Sequence, residues 1–183
     1  MNIINTIDNL ILQFDSHTLA DLSNALLMNR VDTKYLIPVD NIYGLLNDIK
    51  DICTVLDIEG RRISKYQNLY FDTNELQYFS AHHNGALNRY KVRYRTYLEQ
   101  CSSYLEVKFK NNKSRTIKKR IALTKSDDTR ELATKHHPFL ASCGVSQAQE
   151  LVAVQECNYS RIAFASEFTG ERLTVDFNIA YID

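Results

Sequence analysis

The sequence predicts an α+β domain built on antiparallel strands with peripheral helices, and three observations carry that expectation. Segments of alternating or β-branched apolar character recur about eight times. Polar turns, not long helical crossovers, separate most of them. Helical spacing is confined to a few short stretches. Such a pattern fits a closed or nearly closed antiparallel barrel better than a parallel sheet. The 183 residues suit a single domain with its own core. Residues 1–25 would be a helical decoration, and residues 27–183 would carry the strands and inserted helices.

In chain order, Ile3, Ile4, Ile7, Leu10, Ile11 and Phe14 recur at helical spacing and predict an amphipathic helix over Ile3 to Phe14. A strand is expected from Leu27 to Ile37, after which Pro38 and Asp40 open a helix to about Lys50. Cys53 to Ile58 reads as a strand ending in a turn at Glu59-Gly60-Arg61, and Ile63 to Asp72 as another. Thr73 or Asn74 should cap a short helix through Phe79, and Gly85 ends it. Three strands follow, over Ala86 to Tyr97, Tyr104 to Lys110 and Ser114 to Leu123. A helix is expected from Asp127 to His137, interrupted by Pro138, with a further turn from Phe139 to Cys143 closed by Gly144. Two long strands, Glu150 to Ala165 and Arg172 to Ile179, complete the chain.

Cys53, Cys101, Cys143 and Cys157 lie far apart with no CxxC pair, which argues for reduced thiols and against a zinc site. The pairs His82-His83 and His136-His137 lack the i, i+4 spacing of a helical metal pair and are expected in surface or capping roles. The absence of a signal-peptide pattern or a long apolar run makes the cytoplasm the default compartment.

The formal net charge is zero, but the charge is segregated. Between Gly85 and Lys125 there are twelve lysines and arginines against only Glu99 and Glu106, so this stretch is a basic meander in a neutral chain. Strand parity sorts these side chains. Arg89, Lys91, Arg93, Arg95 and Tyr97 share one face of their strand, with Tyr90, Val92 and Tyr94 on the other. Glu106, Lys108 and Lys110 share a face of the next. Lys118 and Arg120 share a face of the third, with Ile117, Lys119 and Ile121 opposite. Solvated faces normally mix signs across strands, so three neighbouring strands of nearly one sign point to a site for a polyanion. Tyr90 and Tyr94 lie on the face opposite Arg93 and Arg95. The cations are therefore expected to grip phosphates without rings beside them, which makes nucleic acid the runner-up and a phosphate chain or triphosphate the favoured ligand.

The stretches Arg30-Val31-Asp32-Thr33-Lys34-Tyr35, Tyr70-Phe71-Asp72-Thr73, Lys91-Val92-Arg93-Tyr94-Arg95, Leu105-Glu106-Val107-Lys108, Tyr159-Ser160-Arg161-Ile162-Ala163-Phe164 and Arg172-Leu173-Thr174-Val175-Asp176 form an ordered set. Their order and spacing, from about Arg30 onward, resemble the VTC (vacuolar transporter chaperone) domain, the polyphosphate polymerase branch of the triphosphate tunnel metalloenzymes. The resemblance implies a tunnel of antiparallel strands in which ATP donates its terminal phosphoryl group to a growing inorganic polyphosphate chain, with Mn²⁺ or Mg²⁺ as cofactor. Carried over by position, it implies Lys34, Arg93, Arg95, Lys108, Arg161 and Arg172 as catalytic cations. These six, together with Tyr159 and either Lys118 or Lys119, are the implied phosphate ligands. Glu106 stands at the glutamate of the family's E-x-K strand and is the candidate metal ligand, with a salt bridge to a neighbouring cation as its other reading. Asp176 is open to the same two readings. The same cations would serve a non-catalytic polyphosphate or triphosphate sensor, or a triphosphatase with water as acceptor.

The resemblance also implies further elements after the Arg172 to Asp176 strand, with another glutamate and lysine, whereas the sequence stops at Asp183. An incomplete tunnel, or one completed by a partner chain, is therefore expected.

Overall fold

The computed structural model describes residues 3–21, 33–113, 115–124 and 130–182. Contacts between Cα atoms divide the chain into two compact units, one of Met1–Ser64 with Arg161–Asp176 and one of Lys65–Ser160 with Phe177–Asp183. The architecture is α+β. Among the described residues the strands are β1 (Ser16–His17), β2 (Thr54–Leu56), β3 (Ser64–Asp72), β4 (Arg89–Tyr97), β5 (Ser102–Lys110), β6 (Thr116–Ala122), β7 (Val152–Ser166) and β8 (Glu171–Ile182). The α-helices among them are α1 (Ile3–Ile11), α2 (Ile42–Ile49), α3 (Gln77–His83) and α4 (His137–Ser142). The strand order is β1-β2-β7-β3-β4-β5-β6, with β8 pairing β7. β2 pairs with β7, β3 with β4, β4 with β5 and β5 with β6 in antiparallel fashion, whereas β1 runs parallel to β2.

In the first unit, α1 buries Ile7, Leu10 and Ile11, and Phe14 follows it into the core with its ring 5.0 Å from that of Phe164. The C-terminal carbonyls of a helix lack intrahelical donors. Arg62 fills that gap, its Nη1 donating to the carbonyls of Ile11 (2.7 Å) and Phe14 (3.0 Å). Pro38 precedes a 3₁₀ turn, Val39–Asn41, that leads into α2, as Pro and Asp at a helix entry should. The turn at Glu59-Gly60 forms as expected, with both residues at positive φ and the Gly60 amide donating to Asp57. Of the strand expected over Leu27 to Ile37, residues 27–32 lie outside the described residues. Residues 33–37 carry no regular structure, and Leu36 is fully exposed. Apolar alternation makes a strand only where a neighbouring edge accepts its hydrogen bonds.

In the second unit β3, β4, β5 and β6 form an antiparallel meander, and the first part of β7 lies beside β3. One face of the meander buries Phe71, Val92, Tyr94, Leu105 and Val107 against Leu140, Val145, Ala148 and Leu151. Asp72, at the end of β3, anchors α3. Its carboxylate accepts from the amides of Thr73, Tyr78 and Phe79, each at 2.8 Å, while the Thr73 hydroxyl takes the Gln77 amide. The main anchor is thus one residue earlier than Thr73.

The helix expected over Asp127 to His137 falls partly on residues 125–129, which lie outside the described residues. What forms is a 3₁₀ turn, Thr134–His136, running into α4 with Pro138 in its first turn. Pro138 therefore starts a helix and does not interrupt one, because its missing amide has no partner to lose there. Gly144 closes α4 at φ +86°, and a side chain there would meet the Tyr90 hydroxyl oxygen at 2.6 Å. His136 is not a surface residue: it is 5% exposed and hydrogen-bonded through Nδ1 to the Tyr94 hydroxyl at 3.2 Å.

Candidate functional site

The other face of the meander carries the candidate site. Residues directly opposite in an antiparallel pair share a face with Cβ atoms about 5 Å apart, so the register writes the site as cross-strand rows. Tyr66 and Tyr97 pair at one end, followed by Asn68, Arg95 and Tyr104, then by Tyr70, Arg93, Glu106 and Arg120. Beyond them lie Lys91, Lys108 and Lys118, and lastly Arg89, Lys110 and Thr116. The face thus grades from tyrosines through arginines to lysines. The cationic character expected along β4 from parity extends across three strands, with Glu106 as the carboxylate in these rows.

The arginines are held in place. Arg93 donates from Nε (3.0 Å) and Nη2 (2.7 Å) to one oxygen of Glu106 and from Nη1 to the Tyr70 hydroxyl (3.1 Å). Burial works against the charged guanidinium, but the Tyr70 oxygen and the Glu106 carboxylate outweigh it, and its pKa stands above the ordinary value. Arg95 donates from Nε to Asn68 Oδ1 (2.8 Å) and from Nη2 to the Tyr159 hydroxyl (2.9 Å). Its guanidinium carbon lies 5.0 Å from the centre of the Tyr66 ring. Asn68, fully buried, is fixed in turn by donating to the Cys157 carbonyl at 2.8 Å. Arg120 is exposed and stacks on Tyr104 at 4.4 Å.

The lysines are placed differently. Lys91, Lys108 and Lys118 stand opposite one another on three strands, and the side chains of Lys108 and Lys118 are exposed. A pair of unit charges this close costs on the order of 1 kcal/mol in water. That is small enough for the fold to sustain, and a bound polyanion would reverse its sign.

Of the residues singled out from sequence, Arg93, Arg95, Glu106, Lys108 and Tyr159 come together in the second unit. Lys119 does not. It pairs with Val107, points to the opposite face beside Tyr90, Phe109 and Cys143, and donates from Nζ to the Ser142 carbonyl at 3.1 Å. Parity leaves Lys118 as the row partner of Lys108. Lys34, Arg161 and Arg172 belong to the first unit. There Lys34 is exposed in irregular chain, Arg172 is exposed on β8, and Arg161 forms a two-bonded fork with Asp176 at 2.6 and 2.7 Å. Both carboxylates left open by the sequence are therefore ion-paired to arginine.

Sequence reasoning placed Tyr97 on the basic face and named Tyr159 but missed the other rings: Tyr66, Tyr70 and Tyr104 share this environment with the cations too. Tyr66 and Tyr159 are stacked with centroids 5.0 Å apart, and Tyr97 meets Tyr66 and Tyr104. The expectation of cations without rings beside them is corrected: it weighed Tyr90 and Tyr94, whereas Tyr97 of β4 and tyrosines of β3, β5 and β7 stand with the cations. Alternation within β3 puts Tyr66, Asn68 and Tyr70 on one face, but only register shows that this is the basic one.

Among the described residues no three His, Cys, Asp or Glu side chains group closely enough to hold a metal ion. Glu106 offers one carboxylate with Oε2 committed to Arg93. That donor set fits a divalent ion carried largely by phosphate oxygens, with Glu106 as a single protein ligand, and does not fit a protein-made cage. No described helix is long and apolar enough to cross a membrane.

An antiparallel α+β fold whose sheet presents arginines, lysines and tyrosine hydroxyls around Glu106 defines a domain with a face suited to phosphate-like anions. Residues 29–183 match the VTC domain, and the chain belongs to that family. No curated protein matches it. A solved structure that resembles it is HpAC1 from Hippeastrum, assigned as an adenylyl cyclase and described as having a dominant triphosphatase activity. The two share 16% identity and a TM-score of 0.42 over 66% of this chain and 64% of that one. The chain thus spans less than two thirds of that protein's length.

Proposed function

We propose that the chain is a polyphosphate polymerase domain that transfers the terminal phosphoryl group of ATP to the end of an inorganic polyphosphate chain. The observation that supports this most is the run of rows from Arg95 through Arg93 and Arg120 to Lys91, Lys108 and Lys118, which offers cations at the spacing of neighbouring strands along one line. An oxygen of the acceptor's terminal phosphate forms the new P–O bond to the γ-phosphorus. The bond from that phosphorus to the β–γ bridging oxygen breaks, and ADP departs with its electron pair. Such a transfer needs positioning and charge neutralisation and no protein nucleophile.

In this reading Arg93 and Arg95, already oriented by Glu106, Tyr70, Asn68 and Tyr159, grip phosphate oxygens as forks. Lys108 and Lys118 meet the chain as point charges on long stems. A divalent cation, when bound, would draw charge off the phosphate oxygens, with Glu106 as its protein ligand. The phosphate-binding roles of Lys34, Arg161 and Arg172 rest on the family motifs alone.

The test is the melting midpoint at matched ionic strength with tripolyphosphate, orthophosphate, sulfate or a short DNA strand, with and without Mn²⁺, followed by an assay of ATP-dependent chain growth. A native-state ligand at a hundred times its Kd adds about 2.7 kcal/mol, so tripolyphosphate should raise the midpoint well above the sulfate control. A larger shift with DNA would overturn the choice of polyanion. Release of orthophosphate from ATP without chain growth would replace the polymerase by a triphosphatase.

A further inference from the structure

The face of the meander opposite the cationic rows holds a cavity of about 240 Å³ lined by Tyr90, Val107, Phe109, Ile117, Lys119 and Cys143. All six residues lie in the second unit. The register explains the lining: Phe109 stands between Tyr90 of β4 and Ile117 of β6, and Val107 is the cross-strand partner of Lys119. The Tyr90 and Phe109 rings are stacked at 4.6 Å. Lys91, Lys108 and Lys118 alternate to the other face, so the cavity is separate from the lysine row.

Three polar groups converge at the α4 end of these apolar walls. Lys119 Nζ donates to the Ser142 carbonyl at 3.1 Å, which holds the ammonium beside Cys143 and uses one of its three donors. The Tyr90 hydroxyl reaches the same end, where a Cβ on Gly144 would stand 2.6 Å from its oxygen. Burial and the neighbouring Cys143 raise the pKa of that phenol above its ordinary value, so it remains an O–H donor at neutral pH. The Cys143 thiol is free and half-buried. Donors headed by an ammonium call for an anionic acceptor, and walls of stacked rings and aliphatic side chains call for a flat apolar body. At about 30 Å³ per water, the cavity has room for roughly eight waters, the scale of one ring with a carboxylate. We propose that it is a binding site for a small aromatic carboxylic acid, with the ring against Phe109 and Tyr90 and the carboxylate on the Lys119 ammonium and the Tyr90 hydroxyl. The site is independent of the polyphosphate reading, because it uses none of the cations on the other face.

The test is protection of Cys143 from alkylation by iodoacetamide in the whole chain, read by mass spectrometry of each cysteine peptide, with the exposed Cys101 as internal control. The probes are benzoate, its uncharged counterpart benzyl alcohol, acetate and tripolyphosphate, and the proteins are the wild type and Lys119→Gln. Saturation-transfer NMR on benzoate and benzyl alcohol reads the same binding without the thiol. Benzoate should protect Cys143 and leave Cys101 unchanged, roughly tenfold more tightly than benzyl alcohol, as for one charge-assisted hydrogen bond. Acetate and tripolyphosphate should not protect it, and Lys119→Gln should bring benzoate down to the level of benzyl alcohol. No benzoate binding by either readout would overturn the site. Equal binding of benzoate and benzyl alcohol in the wild type, or benzoate binding untouched by Lys119→Gln, would overturn the preference for an acid. Displacement of benzoate by tripolyphosphate would move the ligand to the basic face and equally sink the proposal.

Discussion

Arg93 and Lys108 occupy neighbouring rows of one face, yet the protein treats them differently. Arg93 is held by a carboxylate and a phenol, with a side chain 23% exposed, whereas Lys108 stands exposed between two other lysines. The guanidinium can be tied down and still donate, because its five N–H groups form a rigid fork that outnumbers its partners. An ammonium on a four-carbon stem keeps its reach and adapts to whichever oxygen arrives. In the proposed polyphosphate reading, the arginine half would be preorganised for one phosphate position and the lysine half would offer longer-reaching point charges to a chain whose length varies.

Three substitutions probe that difference. The largest effect is expected for Arg93→Ala, which leaves the half-buried Glu106 without its two-bonded partner. It should cost about 2 kcal/mol of stability, as for a lost hydrogen bond to a charged group, and should also abolish the tripolyphosphate-induced rise in melting midpoint. A stable variant that still binds would show the arginines to be structural. Lys108→Ala should keep the stability within about 0.5 kcal/mol by urea denaturation while weakening tripolyphosphate roughly tenfold. A loss of stability as large as that of Arg93→Ala would remove the distinction between the two halves. The smallest effect is expected for Lys119→Ala, whose ammonium serves the Ser142 carbonyl on the other face: tripolyphosphate affinity should stay unchanged, and a loss there would place the site on the wrong side of the sheet.

The two carboxylates extend the comparison to the first unit. Glu106 is engaged through one oxygen and leaves the other for a ligand, whereas Asp176 gives both oxygens to Arg161. The parity of β5 placed Glu106 with Lys108 in the sequence itself. Its attachment to Arg93 depended on the β4–β5 register, which a turn of Glu99-Gln100-Cys101 leaves open in sequence.

The sequence by itself determined the antiparallel α+β class, the basic meander, the purity of the β4 face and the family, because alternation and motif order are local or linear properties. It also located the turn at Gly60 and the close of α4 at Gly144, where a positive φ favours glycine. Only the tertiary structure decided which strands lie side by side and in what register. That register brought Tyr66, Tyr70 and Tyr104 onto the basic face, chose Lys118 over Lys119 and buried His136 against Tyr94. The physical reason is that strand pairing is a long-range choice: a shift of one residue exchanges the two faces of a strand, and only the packed core of Phe71, Val92, Leu105 and Val107 fixes which face turns inward.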